Sequence, residues 1–310
     1  MVKRRGMLRV AGGLLALALF LVAVWVLRNQ LSGITRAQIV REVRSLPASR
    51  IWASFALMAL GYLALGASDL LALRYLHRSL SLSKVVLTSF ISYAFANSLP
   101  LSFMVGGWVR YRFYSEWKRA AGTVRQVVGF TVLTYALGLT TAVAAMFTLQ
   151  PTIVPRLLNL PIGSTRPAGI AALAVMTGYL LWSARGGQLR VLKWKTAPPP
   201  LPTSLLQIVV SLADWVLSAA TLYVLLPTTA PVTFLGFFGL FLLGQLAALV
   251  AQVPGGLGVF EAVMVATLRH LIPVPALFGA LVAYRVIYFL VPLVLAMILL
   301  ATSEVVRWFR

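Results

Sequence analysis

The feature that most constrains this chain is a series of continuous apolar stretches, each about twenty residues long. As an α-helix, such a stretch covers the hydrocarbon core of a bilayer, which is roughly 30 Å thick. The strands of a membrane β-barrel would instead alternate polar and apolar residues over about ten positions. The sequence therefore predicts an all-α polytopic membrane protein, with hydrophobic segments near residues 8–27, 50–73, 85–104, 126–149, 167–184, 204–226, 232–253 and 275–302.

Composition excludes several kinds of chemistry. The chain has no cysteine and two histidines, which excludes disulfides, cysteine nucleophiles and thiolate or histidine metal sites, and no cofactor is predicted. No GxxxxGK[ST] stretch is present, which excludes direct ATP drive through such a loop. The net charge of +21 would suggest nucleic acid as the partner of a soluble protein. Because the basic residues lie mainly at segment ends, we predict anionic phospholipid headgroups as the partner instead, and no nucleic acid.

The two halves of the chain follow one order of features on either side of a proline-rich loop, residues 193–202. A helix with a carboxylate precedes a helix that ends at a proline, then a diglycine, a short charged helix and a final span. We interpret the chain as a single integral membrane domain, 1–310. Its parts are a first span with a connecting amphipathic segment (1–49), repeat unit 1 (50–149), a linking span with the proline-rich loop (150–203) and repeat unit 2 (204–310).

Counting membrane crossings predicts that the two units have opposite orientations. Each proline-broken helix pair contributes an even number of crossings, whether it spans twice or re-enters, and one extra span lies between the units. This is the inverted-repeat arrangement of many secondary transporters, with two re-entrant pairs around a polar cavity. Most of the 27 basic residues then face one side if both termini are cytoplasmic. The arginines of residues 28–50 do not fit, and we predict a surface-lying amphipathic helix there.

The clearest break lies in AQVPGGLGVFEAVMVATL, residues 251–268. Pro254, Gly255, Gly256 and Gly258 interrupt an apolar tract and expose backbone groups that lipid cannot satisfy, so the break must face protein or a water-filled cavity. Glu261 follows in the first turn of the next helix, where the helix dipole favours a carboxylate. The alternative is that the glycines permit tight packing and Glu261 only caps the helix. An ionisable residue at membrane depth usually marks a substrate or ion path.

The matching stretch of the first half carries positive charge. After Pro100, the pair Gly106 and Gly107 is predicted to break the chain and start a short helix. Arg110 and Arg112 lie two residues apart, so they diverge, and one of them can point into the cavity. A guanidinium suits a phosphate oxygen pair, and the helix start would add amide donors. The alternative is that both arginines are positive-inside anchors.

Three further charged residues lie in apolar segments and are candidate partners of these groups. Asp69 and Asp214 fall in predicted spans of the first and second halves. Arg285 is the basic residue deep in the last predicted span, with Tyr284 beside it. Since buried charges need partners, we predict that these residues complete a substrate site with Glu261 and the arginines.

The motifs GGWVRYRFYSEW (106–117), VPGGLGVFEA (253–262) and AYRVIYFLVPL (283–293) resemble the transmembrane flippase domain of the lysylphosphatidylglycerol synthetase family. This family is also called multiple peptide resistance factor, and it has stand-alone, YbhN-like members. The resemblance covers roughly residues 10–302. It implies movement of aminoacylated phosphatidylglycerol between leaflets, a role in antimicrobial peptide resistance, and functional residues at Asp69, Arg110 or Arg112, Glu261 and Arg285. It also allows for a homodimer.

Full-length members of that family continue into further spans and a soluble aminoacyl-transferase domain, whereas this chain ends at TSEVVRWFR. We therefore expect a transporter and not an enzyme, and the identity of the lipid stays open. The predicted function is a lipid flippase of the bacterial inner membrane, for aminoacylated phosphatidylglycerol or another anionic or polyprenyl lipid. Two alternatives remain: a non-transporting partner that recruits a separate lipid-synthesising or lipid-modifying enzyme, and a membrane-embedded lipid transferase.

Overall fold

The structure is a computed structural model that describes residues 36–99, 102–116, 121–157, 161, 163–186, 189–191, 194–196 and 198–308. The predicted first span, 8–27, and the proposed break residue Pro100 lie outside the described residues. Within these ranges the chain is almost entirely helical, and the prediction of an all-α polytopic membrane protein is confirmed.

Twelve α-helices follow one another along the described parts of the chain. They are α1 (Arg36–Ser45), α2 (Ala48–Tyr75), α3 (Leu82–Ser98), α4 (Ser102–Glu116), α5 (Ala121–Leu149), α6 (Ile153–Leu157), α7 (Arg166–Arg185), α8 (Leu201–Tyr223), α9 (Phe234–Ala251), α10 (Val259–Leu268), α11 (Val274–Tyr284) and α12 (Val291–Trp308). A 3₁₀ turn, Pro254–Gly256, precedes α10, and a π-helical segment, Arg285–Leu290, joins α11 to α12.

Six helices among the described residues are long and apolar enough to cross a membrane. They are Ala48–Tyr75, Gly122–Leu149, Arg166–Arg185, Leu201–Tyr223, Phe234–Ala251 and Val274–Ser303. Helix α3, with 17 residues, is shorter than these, and α10 is a shorter apolar helix of 10 residues. Both short helices belong to the proline-broken pairs.

Prolines and capping residues place the helix boundaries. Pro47, Pro200 and Pro273 stand directly before α2, α8 and α11, where the missing N–H of proline is not needed by the helix. Thr233 caps α9 by accepting a hydrogen bond from the Gly236 amide. Gly186 ends α7 in a left-handed conformation with φ of 65°.

A short antiparallel hairpin is the only β-structure that the described residues show. Strands β1 (Leu189–Val191) and β2 (Trp194–Thr196) pair with Val191 opposite Trp194. The proline-rich sequence predicts only a loop at 193–202. The hairpin forms because β-branched and aromatic residues favour pleated pairing, a local preference that hydropathy does not reveal.

The amphipathic helix predicted within residues 28–50 corresponds in part to α1, which ends two residues before α2 begins. Helix α1 packs against α11. A Cβ added at Gly279 of α11 would lie 2.8 Å from the Cβ of Glu42, so the glycine allows this close approach.

The two halves make corresponding contacts around a central pair of helices. The helices α2 and α8, which carry Asp69 and Asp214, pack along each other. In the first half, α2 contacts α3 and α5, and α3 contacts α4. In the second half, α8 contacts α9 and α11, and α9 contacts α10. Across the halves, α5 packs on α8 and α9, while the last span packs on α2 and α3. This arrangement leaves the broken ends of α3 and α9 on the same central space.

Candidate functional site

A cavity of about 250 Å³ lies between the two halves of the chain. Helices α2, α3, α4, α5, α8 and α9 line it, together with the Pro254–Gly256 turn and the π-helical segment. Among the described residues its charged lining consists of Arg110 and Asp214. Its uncharged polar side chains include Asn97, Thr131, Ser218, Gln245 and Gln252.

Arg110 and Asp69 form a buried ion pair beside this cavity. Arg110 donates from Nε to Asp69 Oδ2 at 3.0 Å and from Nη2 to Oδ1 at 2.9 Å, which is the two-pronged geometry of strong arginine–carboxylate pairs. Ser89 and Tyr93 also donate to Asp69, at 2.8 and 3.2 Å. Asp69 is 0% exposed and Arg110 4% exposed. The carboxylate is therefore fully engaged, and Arg110 is the member of the pair that reaches the cavity.

Gly106 makes room for the Arg110 guanidinium. Arg110 Nη1 donates to the Gly106 carbonyl at 3.2 Å, and a Cβ added at Gly106 would lie only 3.0 Å from the same nitrogen. The two residues are one helical turn apart in α4. A glycine at this position lets the arginine fold back along its own helix and still reach Asp69.

The diglycine of the first half is not a helix break, which corrects the prediction for Gly106 and Gly107. Helix α4 begins at Ser102, so both glycines lie inside it. The preceding helix ends at Ser98, and Leu99 after it has extended backbone, with φ of −110° and ψ of 155°. A residue before a proline is biased toward this conformation, so the chain turns before it reaches the glycines.

Glu261 and Arg285 form the second ion pair. Arg285 Nε lies 2.5 Å from Glu261 Oε1, and Glu261 Oε2 accepts the Gly258 amide at 2.7 Å. Arg285 Nη1 donates to the Gly255 carbonyl, and the Arg285 Cζ lies 4.6 Å from the Phe289 ring centroid. The pair thus ties the broken turn, the start of α10 and the last span together. Gly255 and Phe289 line the cavity, whereas Glu261 and Arg285 lie behind them.

The break itself depends on left-handed backbone. Gln252 has a φ of 54°, followed by Gly255 at 56°, Gly256 at 65° and Gly258 at 80°. Glycine adopts such angles at little cost because it has no Cβ. A Cβ added at Gly256 would also lie 2.6 Å from the Cβ of Ala248, so this position excludes a side chain for two independent reasons.

The last span presents Tyr288 to the cavity and buries Tyr284. Tyr284 is 1% exposed and lies in a cluster of rings, stacked on Tyr288 with centroids 5.3 Å apart and edge-on to Phe289. The prediction that Tyr284 contacts substrate therefore finds no support in the cavity lining, where Tyr288 lies instead. A π-helical turn shifts side-chain directions along a helix, and such turns are frequent at functional sites.

Asp214 lies in the middle of α8 and is 8% exposed. Its Oδ1 accepts no hydrogen bond, and no salt bridge joins it to an arginine or lysine of the part of the chain that the structure describes. Ser218, one turn further along α8, pairs with the Tyr288 hydroxyl at 2.6 Å. Asp214 is thus the cavity's carboxylate without a cationic partner.

Five of the predicted residues take part in these arrangements, and Arg112 does not. It is half-buried and is absent from the cavity lining that the described residues form, so Arg110 is the inward-facing member of the two. Sequence reasoning missed several groups, among them Ser89, Tyr93, Trp215 and Ser218. A helical-face argument could have found Ser218, because it lies four residues after Asp214 in the same helix.

Comparison with known proteins identifies the family. The model of the family described as the lysylphosphatidylglycerol synthase TM region matches residues 13–296. The chain belongs to this family. Among its relatives, the uncharacterized protein slr0712 of Synechocystis sp. is 35% identical over 302 residues, covering 96% of this chain and 93% of the relative. The inner membrane protein YbhN of Escherichia coli is 29% identical over 302 residues, covering 94% and 91% of the two chains.

The larger members of the family align over part of their length only. The phosphatidylglycerol lysyltransferase of Staphylococcus aureus is 23% identical over 289 residues, which are 92% of this chain and 33% of that enzyme. The chain therefore corresponds in length to YbhN and slr0712, and it matches about a third of the lysyltransferase. These relatives support a membrane protein with a lipid-related role.

Proposed function

We propose that this protein is a lipid flippase that moves a phospholipid between the leaflets of the bacterial cytoplasmic membrane. The observation that carries the proposal is the cavity between the two halves, which places the Arg110 guanidinium beside a broken membrane helix. Non-helical backbone at membrane depth is tolerated where it lines a cavity or packs against protein. A polar cavity with a buried arginine suits a charged headgroup that must cross an apolar layer.

Arg110 is the residue that we assign to the lipid phosphate. Its guanidinium has five N–H donors, and the described residues accept hydrogen bonds from three of them. The remaining N–H donors can serve a phosphate oxygen. Asp69 keeps the guanidinium in place when the cavity is empty, because a buried arginine without a carboxylate would be costly.

The size of the cavity favours a headgroup over a whole lipid. Small-molecule sites commonly enclose about 300–1,000 Å³, and this cavity is slightly smaller. The acyl chains would therefore stay in the bilayer while the headgroup passes between the halves. The lysyltransferase relatives act on phosphatidylglycerol, so we propose phosphatidylglycerol or its aminoacylated form as the first lipid to test, with other anionic or polyprenyl lipids next.

We assign the second ion pair to the broken turn, Pro254–Gly256, rather than to the lipid. Arg285 holds the Gly255 carbonyl and Glu261, so it braces the broken turn that forms one wall of the cavity. We propose that the two halves are inverted repeats and that one rocks against the other to open the cavity to each leaflet in turn. The matching contacts of the two halves support this arrangement.

A liposome assay tests the function. Purified protein is reconstituted alone into phosphatidylcholine vesicles with fluorescent phosphatidylglycerol, and the label of the outer leaflet is quenched at timed intervals. We expect the protein to render nearly all of the label accessible, and Arg110→Gln to slow this by about tenfold or more, which corresponds to a barrier higher by about 1.4 kcal/mol.

The same vesicles distinguish the alternatives. Label that stays protected in vesicles with wild-type protein would overturn the flippase. A change in the lipid's mass during the assay would favour a lipid transferase. Protected label together with co-purification of a lipid-modifying enzyme from native membranes would favour a recruiting partner.

A further inference from the structure

We propose that Asp214 carries a proton together with the lipid, so that the flippase is a proton–anion symporter. The proposal rests on the proposed function and deepens it by naming the coupling ion. It starts from a juxtaposition in the cavity: Arg110 and Asp214 line the same space, and only Arg110 has an oppositely charged partner among the described residues.

The charges around the cavity do not balance if Asp214 is ionised. Arg110 is neutralised by Asp69, and Arg285 by Glu261. The carboxylate of Asp214 would then be a single uncompensated charge in the middle of a span, and such charges are avoided at membrane depth. A neutral carboxylic acid removes this cost, and Oδ1, which lies buried without a hydrogen-bond partner, is free to take up the proton.

The groups that surround Asp214 leave it as the titrating residue of the cavity. Three tyrosines from neighbouring helices line the same cavity as Asp214: Tyr93, Tyr135 and Tyr288. Tyrosine hydroxyls are neutral at physiological pH. Helix α9 contributes the uncharged Gln245 to the lining, α7 bears Tyr179 near the far end of α8, and Arg110 comes from α4.

A proton suits this site better than a metal cation. No group of three or more His, Cys, Asp or Glu residues that could hold a metal ion occurs in the described ranges of the chain. Asp214 therefore offers one carboxylate among hydroxyl and aromatic groups, whereas a bare cation needs several oxygen ligands at once. Ser218 and Tyr288 line the cavity wall and are hydrogen-bonded to each other through their hydroxyls. Ser218 also hydrogen-bonds to Asp214, so a proton on Asp214 would lie beside a hydrogen-bonded pair of hydroxyls.

Protonation and lipid binding would favour each other. An ionised Asp214 would repel a lipid phosphate at Arg110, whereas the acid form removes that repulsion and offers an O–H donor. Water at the open side supplies the proton, which binds a carboxylate oxygen of Asp214 as the phosphate enters. After the halves rock, the proton and the lipid leave to the opposite side, and the carboxylate oxygen gives the proton back to water. One negative charge and one proton thus cross together.

The first experiment measures protonation without transport. Infrared spectra of purified protein are compared between about pH 5 and about pH 8. We expect a carboxylic-acid C=O band in the wild type that is lost at the higher pH, is absent from Asp214→Asn, and persists in Glu42→Gln, which removes a carboxylate outside the cavity. A wild-type spectrum without a band that Asp214→Asn removes would overturn the proposal.

The second experiment measures coupling in vesicles of phosphatidylcholine with fluorescent phosphatidylglycerol and an imposed pH gradient of about one unit. One-to-one symport of a proton and an anion predicts that the labelled lipid becomes about tenfold more concentrated in the leaflet on the alkaline side than in the other leaflet. Asp214→Asn should lose this asymmetry, and Glu42→Gln should keep it.

The outcomes separate this inference from the flippase proposal. Label that the wild type distributes evenly between leaflets despite the gradient overturns coupling and leaves the flippase in place. Label that never moves overturns the flippase, and the infrared measurement still decides whether Asp214 binds a proton.

Discussion

At the scale of single residues, the two ion pairs differ in how completely they are enclosed. Asp69 is fully buried and accepts four hydrogen bonds, two at each carboxylate oxygen, which hold it in place against Arg110. The side chains of Arg285 and Glu261 are 14% and 12% exposed. The first pair is suited to hold one charge at a defined point, and the second to open and close with the backbone of the turn.

We expect Arg110→Lys to abolish most flipping, because an ammonium cannot make the two-pronged contact with Asp69 and still present donors to the cavity. The loss should be about tenfold or more in the liposome assay. The matched control is Arg112→Lys, which changes the neighbouring arginine of α4 outside the cavity and should retain flipping. An equal loss of flipping in both variants would contradict the assignment of the lipid phosphate to Arg110.

We expect the Glu261–Arg285 pair to appear in stability as well as in transport. Glu261→Gln or Arg285→Gln alone leaves one buried charge without its partner and should destabilise the protein by about 3–5 kcal/mol. The double variant should recover part of that loss, with a coupling energy of about 0.5–3 kcal/mol. Thermal unfolding in detergent measures all three, and strictly additive effects would argue against direct pairing.

At the scale of the elements, the two halves break their helices in different ways. In the second half, left-handed glycines form the turn and the start of α10. In the first half the helix already begins at Ser102, and Gly106 serves as a gap for a side chain. The two diglycines thus have different roles: Gly255 and Gly256 allow left-handed backbone, whereas Gly106 leaves room for a side chain.

A pair of neighbouring substitutions tests this difference. In Gly106→Ala the new Cβ lies 3.0 Å from Arg110 Nη1, so it should displace the guanidinium and reduce flipping. In Gly107→Ala the nearest contact is Val128 Cγ2 at 3.6 Å, which is ordinary, and flipping should persist. Each alanine also favours the helix by about 1 kcal/mol. Loss of flipping in Gly107→Ala alone would contradict the assignment of Gly106.

At the scale of the whole molecule, the packing of α2 along α8 brings the two halves into register. The broken ends of α3 and α9 then face one cavity, and each half contributes one ion pair beside it. The crossing count predicts that one extra span lies between these units and gives them opposite orientations, as in many transporters that work by alternating access.

Reporter fusions test this orientation. A reporter after Arg310 should read cytoplasmic, and so should reporters at Ala197 and at Ser79 in the α2–α3 loop. A reporter at Thr228, in the equivalent α8–α9 loop, should read periplasmic. The same reading at Ser79 and Thr228 would show that the repeats are parallel, and a periplasmic reading at Arg310 or Ala197 would overturn the crossing count.

Part of this molecule could be predicted because it depends on local properties of the chain. The spans follow from length and hydropathy, and the turn before Glu261 follows from a proline and three glycines in five residues. The sequence predicts the break of the first half at the wrong place, because Gly106 and Gly107 form the same diglycine as Gly255 and Gly256 but lie inside a helix. The backbone shows that the helix of the first half ends earlier, with Leu99 extended and the next helix starting at Ser102.

The sequence by itself determined the class of protein, the position of most membrane helices and the set of charged residues within them. The tertiary structure decided which of these residues meet. Arg110 and not Arg112 reaches the cavity, Tyr288 lies there in place of Tyr284, and Asp214 has no cationic partner among the residues that the structure describes. Hydropathy and turn chemistry act over a few neighbouring residues. The rotation of each helix about its axis is set by packing against partners far away in the chain, and it decides where a side chain points.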